Sequence, residues 1–149
     1  MGKRAGLKRG LLAAAALAVL AAAFFCLQRP RPIAQVMDSI DLRLDAAYPA
    51  PVLFAEPGEG YYEVSVSQDQ FLRALSSSAP VTPEAASSFF NASQCFFLSC
   101  PASGADVCSI YLGPDGQILF MRDGKTDRQW RDGEHIAYDT LYQLAFGSP

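Results

Sequence analysis

Residues 107–133 read VCSIYLGPDGQILFMRDGKTDRQWRDG and hold three Asp-Gly pairs, at 115–116, 123–124 and 132–133, spaced 8 and 9 residues apart. Asp-Gly supplies the positive-φ positions of tight turns, and apolar runs of strand length lie between the pairs. Strands are therefore expected at Val107–Leu112, Gln117–Arg122 and Lys125–Arg131, joined as an antiparallel meander. Ile110, Leu112, Ile118 and Phe120 should share its buried face. Beyond the meander, Glu134–Phe146 carries Ile136, Ala137, Leu141, Leu144 and Ala145 at helical spacing and stops at Gly147 and Pro149. Such a helix needs the sheet to cover its apolar side, with Leu141 and Leu144 facing inward.

Upstream, Ile40, Leu42 and Leu44 alternate with Asp41, Arg43 and Asp45, the pattern of a half-buried strand. Val52–Ala55 and Tyr61–Val66 flank the turn-forming Glu56-Pro57-Gly58-Glu59-Gly60 and read as a hairpin. Ser67 and Gln70 fit a capping box ahead of a short helix over about 68–77. Thr82-Pro83-Glu84 looks like a second helix start, running to Phe89, and Cys95–Ser99 is a brief strand. The order is that of an α+β domain, with an antiparallel sheet that ends in a three-stranded meander and with helices, the C-terminal one included, packed on one face.

Charge divides the chain. Residues 1–32 hold Lys3, Arg4, Lys8, Arg9, Arg29 and Arg31 and no acid, leaving six basic residues against all fifteen acids downstream, a net of −9. A surface of that sign repels phosphate backbones, so no nucleic-acid partner is expected. Leu11–Leu27 is an uninterrupted apolar run of 17 residues, about 26 Å as a helix. It predicts a transmembrane anchor or signal segment at 11–27 after a cytoplasmic basic segment at 1–10. A stiff Pro/Arg juxtamembrane linker at 28–36 and an extracytoplasmic domain at 37–149 complete the expected organisation. That places the protein in the cell membrane as a single-pass chain, or makes it secreted if cleavage follows Ala23.

Ile40-Asp41-Leu42-Arg43-Leu44, the strand into a capped helix from Val64-Ser65-Val66-Ser67 to Leu75, and the end from Ile110 to Leu144 with Asp123-Gly124-Lys125 and Tyr138 form a recognisable pattern. It resembles small domains of unknown function in membrane-anchored or lipoprotein-like bacterial extracytoplasmic proteins, over most of the outer domain. The lipobox common in those proteins is missing here, since Phe24-Phe25 precede Cys26. The resemblance implies an extracytoplasmic location and brings no activity and no site residues.

No catalytic, cofactor or metal constellation stands out. Cys95, Cys100 and Cys108 lack Cys-x-x-Cys spacing, and a structural disulfide between Cys100 and Cys108 with one buried thiol is the expected outcome. His135 is the sole histidine, so imidazole chemistry would have to use it, with one of the cysteines as nucleophile and an arginine such as Arg122, in the manner of a small cell-envelope cysteine transpeptidase or hydrolase. No nucleophile motif accompanies it. Asp115, Asp123, Asp127 and Asp132 do not fit a calcium loop and read as turn formers. Trp130, Tyr61 and Tyr111 are the candidate binding aromatics. The expected function is a membrane-tethered binding, accessory or sensor domain without catalysis, contacting a protein or cell-envelope ligand.

Overall fold

The computed structural model describes residues 2–38, 49–85, 90, 92–99, 108–122 and 124–147. Two helices come first, α1 (Gly2–Leu27) and α2 (Ile33–Asp38). They are followed by β1 (Val52–Glu56), β2 (Gly60–Glu63), α3 (Gln68–Ser76), β3 (Thr82–Glu84), β4 (Phe96–Ser99), β5 (Cys108–Leu112), β6 (Gln117–Arg122), β7 (Lys125–Arg131) and α4 (Ile136–Phe146). The strands form one antiparallel sheet in the order β2-β1-β4-β5-β6-β7-β3. The arrangement is α+β.

Register divides the sheet into two unlike faces. Phe54↔Phe96, Leu98↔Ile110, Leu112↔Ile118, Ile110↔Phe120 and Ile118↔Trp130 are directly opposed pairs on one face. These residues join Phe71, Ala74 and Leu75 of α3 and Ala137, Tyr138 and Leu141 of α4 in the core. Ser67 and Gln70 close the capping box: the Gln70 amide donates to Ser67 Oγ at 3.2 Å and the Ser67 amide to Gln70 Oε1 at 2.8 Å. That fixes where α3 begins, and hence which of its residues meet the sheet. Between β6 and β7 the register shifts after Phe120↔Arg128, with Asp127 as the extra residue of a bulge.

Several expectations need correction. Among the described residues no helix is long and apolar enough to cross a membrane. This overturns the transmembrane anchor at 11–27 and the single-pass membrane location built on it. The cations Lys3, Arg4, Lys8 and Arg9 lie on α1 itself, and eight of the residues 11–27 are alanines, whose single methyl adds little apolar area. The apolar run Leu11–Leu27 rises about 26 Å along the helix, short of a ~30 Å bilayer core.

The segment read as a stiff spacer is instead part of the domain. Arg31 and Val81 form an antiparallel bridge, with amide-to-carbonyl distances of 2.9 and 2.8 Å, and Ile33 and Val36 enter the core. Thr82-Pro83-Glu84 starts no helix but pairs with β7 through Pro83↔Trp130. An outermost strand tolerates proline because one of its sides needs no ladder hydrogen bonds.

On α4, Leu141 is buried but Leu144 is 45% exposed. The i, i+4, i+8 row Ala137, Leu141 and Ala145 turns inward beside Tyr138, which carries Leu144 to the outer side. The expected strand at 40–45 lies outside the described residues, as does Cys100 and therefore the expected Cys100–Cys108 bridge. Among the described residues no cysteine pair stands at disulfide distance, and Cys26 and Cys95 are free thiols.

Candidate functional site

The face of the sheet opposite the helices carries Tyr61 on β2, Phe97 on β4, Tyr111 on β5 and Leu119 on β6, with Leu53 and Ala55 of β1 between the first two. Tyr61 meets Phe97 edge-on, centroids 4.8 Å apart at 87°, and Phe97 stacks on Tyr111 at 5.2 Å and 16°. Phe90 adds an edge contact to Tyr111 at 6.0 Å. A row of four aromatic rings thus crosses the sheet. Phe97 at its centre is nearly covered, whereas Tyr61 at its end is 58% exposed. Burial pushes the Tyr111 phenol above its ordinary value, with smaller contributions from Tyr61 and Cys95.

Two of the three expected binding aromatics, Tyr61 and Tyr111, therefore share one surface, joined by Phe97, which sequence reasoning passed over. Its only sequence signal was the adjacent pair Phe96-Phe97, one ring for each face. Trp130 belongs elsewhere. It points to the core face, is 6% exposed, and its indole N–H has no acceptor among the described residues. Trp130→Ala is therefore expected to lower the melting temperature in a thermal melt, as removal of a core side chain does.

A second aromatic group fringes the helix side. Phe54 contacts Tyr62, Tyr142 and Phe146, with Phe146 at 5.0 Å. Tyr62, Tyr142 and Phe146 are all exposed. Partial desolvation, then the adjoining Glu56 carboxylate, which accepts a hydrogen bond from the phenol, hold Tyr62 above the ordinary tyrosine value. β2 thus has an aromatic cluster on each side.

At the opposite edge Glu84 is saturated. Its oxygens accept from Arg131 Nε, from Gln129 Nε2 at 3.0 Å and from Gln117 Nε2 at 3.4 Å, while Arg131 Nη1 donates to the Asp115 carbonyl at 2.9 Å. A carboxylate committed to three donors holds strands together and is poorly placed as an acid or base. Beside it a cavity of about 460 Å³ is lined by Arg31, Arg128 and Trp130 among others.

His135 occupies the position before α4 with φ +57°, and its side chain makes no capping hydrogen bond. The cap is Asp132, whose buried carboxylate accepts from the Glu134 amide at 3.1 Å and the Ala137 amide at 3.3 Å. What reads in sequence as a turn aspartate is the anchor of the terminal helix. Among the described residues no group of three or more His, Cys, Asp or Glu is placed to hold a metal.

Cys95 is fully buried, and its thiol donates to the Ala92 carbonyl at 3.2 Å. Burial pushes its pKa up from the ordinary 9.0 to about 11, opposed only in part by a backbone hydrogen bond. It is a thiol at neutral pH and hence a poor nucleophile. Up to about pH 9 the folded and unfolded chains both carry the neutral thiol. Between about 9 and 11 only the unfolded chain ionises, so stability should fall as pH rises through that window. Urea melts at pH 8 and pH 10.5 should show a loss that is smaller in Cys95→Ala than in the wild type.

Comparison with protein families, with curated proteins and with solved structures finds no match to this chain.

Proposed function

We propose that this chain is a binding or accessory domain without catalytic activity, and that its working surface is the aromatic row Tyr61–Phe97–Tyr111–Phe90. The observation that carries the reading is the row itself: stacked rings whose nearly covered centre braces the exposed Tyr61 offer an aromatic contact at low cost in side-chain entropy. Among the described residues the chemistry that a cysteine hydrolase would need finds no comparable support, and Cys100 and the Cys108 side chain lie outside them. Cys95 is buried with a raised pKa, and the His135 side chain makes no hydrogen bond in capping α4.

A photo-crosslinking residue at position 111, with adducts identified by mass spectrometry from living cells, tests the proposal. Wild type and His135→Ala should yield the same partner. Tyr61→Ala should fold normally and lose it, with a weakening of about tenfold or more, the scale of a central interface aromatic. A folded His135→Ala that no longer captures the partner, or a Tyr61→Ala that captures it undiminished, would overturn this reading.

A further inference from the structure

Among the described residues the two edge strands of the sheet differ. β3 is three residues long and carries Pro83, which cannot donate to an added strand. β2 contains no proline, and all four of its residues are exposed. The hydrogen-bond phase of β2 follows from one distance. Val64 N donates to Val52 O at 3.0 Å, so Val52/Val64 is a hydrogen-bonded pair, and with it Phe54/Tyr62 and Glu56/Gly60 two residues on. Leu53/Glu63 and Ala55/Tyr61 are the intervening pairs. Consistently, Ala55 N turns the other way and donates to Cys95 O at 2.9 Å. The amides and carbonyls of Tyr61 and Glu63 therefore point away from β1, beyond the outermost of the described strands.

We infer that the β2 edge is a docking site for an extended, basic peptide segment of a partner, which adds to the sheet as a further strand against the outward peptide groups of Tyr61 and Glu63. This deepens the binding reading above and rests on it. Charge selects the occupant. Residues 49–72 hold Glu56, Glu59, Glu63 and Asp69 and no Lys or Arg. An added strand would lay alternate side chains on two surfaces. On one side lie Tyr61 and Glu63, suited to a lysine stem over a ring and an ammonium at a carboxylate. On the other lie Tyr62 and Phe146, suited to apolar side chains. The same acids oppose a second copy of this chain, because two β2 edges side by side would bring like carboxylates together.

The test uses the full chain and a fluorescent ten-residue peptide of alternating Lys and Val, followed by anisotropy. A Glu-Val peptide of the same length and two Lys-Val peptides N-methylated at alternate residues, one for each pairing register, serve as controls. Saturable binding of the Lys-Val peptide is expected, at least tenfold weaker for Glu-Val and for the N-methylated peptide whose blocked amides face β2. Glu63→Pro should weaken binding at least tenfold without shifting the melting temperature, because its amide takes no part in the β1–β2 ladder. Should that variant fail to fold, the N-methylated peptides decide the matter on the wild-type protein.

Equal binding of both N-methylated peptides and the parent, or no binding of the Lys-Val peptide, would overturn the edge site. The crosslinks from position 111 would then still decide the aromatic face separately. Sedimentation that showed a dimer abolished by Glu63→Pro would also overturn it, in favour of a second copy.

Discussion

Phe120→Ala is expected to destabilise the domain by about 3–5 kcal/mol, a large share of the ~5–15 kcal/mol that holds a small domain folded. Phe120 is fully buried on β6, opposite Ile110 of β5 and just before the bulge that separates Arg128 from Thr126 on β7. It sits within the same cluster as Phe71 and Leu75 of α3 and Leu141 of α4, whose side chains are themselves fully enclosed. Those neighbours are fixed by the sheet register and by the α3 capping box, so they can only partly close over the space a ring leaves. The residual cavity then adds to the lost transfer energy. Urea unfolding should show a lower midpoint at an unchanged slope, the mark of altered stability rather than an altered unfolded state. Leu119→Ala, one residue along on the opposite face, should cost less, because Leu119 keeps some exposure and lies outside the central cluster.

The meander was legible because every signal for it is local. Strand alternation and the Asp-Gly pairs place Gln117–Arg122 and Lys125–Arg131, and Ser67 with Gln70 announces α3 within four residues. What needed tertiary information was not legible. Thr82-Pro83-Glu84 has the same local chemistry at a helix start and on an edge strand, and only the pairing of Pro83 with Trp130 decides between them. A face of α4 that holds both Ala145 and Leu144 as apolar options does not say which one the sheet will take. On α1, continuity of apolar character over Leu11–Leu27 does not by itself make a helix long and apolar enough to cross a membrane.

The aromatic row is the clearest case of partial legibility. Tyr61 and Tyr111 were singled out as binding aromatics from type alone, but they are 50 positions apart in a chain whose fourth strand inserts between the first and the fifth. Without that strand order nothing connects them, and Phe97, the ring that does, looks like one more core residue. Trp130 was equally ambiguous, lying between the polar residues Gln129 and Arg131. Both neighbours turn to the face opposite the helices, where Glu84 binds them, and alternation then sends the indole into the core.

Gly116→Ala should be nearly as damaging as the loss of Phe120, at about 3–5 kcal/mol, although it adds one methyl group and removes nothing. Gly116 closes the β5–β6 turn with φ +71°, a conformation that costs an alanine ~1–2 kcal/mol. Space is the larger difficulty. A Cβ at this position would stand 2.0 Å from the Asp132 carbonyl oxygen and 2.9 Å from His135 Cδ2. The histidine ring can rotate away, but the carbonyl belongs to a backbone held from two sides. Asp132 N donates to Gly116 O at 2.8 Å, and the Asp132 carboxylate caps α4. Relief therefore requires the turn to move away from the start of the terminal helix, giving up the hydrogen bond that joins them and adding the ~1–3 kcal/mol typical of overpacking. Two controls separate the causes. His135→Ala in the Gly116→Ala background should recover little, because the closer contact is with backbone. Gly124→Ala, at an equal φ of +71° but with open space around its Cβ, should show the conformational cost alone. A Gly116→Ala protein that melts like Gly124→Ala would mean that the turn is free of α4, and that the cap at Asp132 does not depend on it.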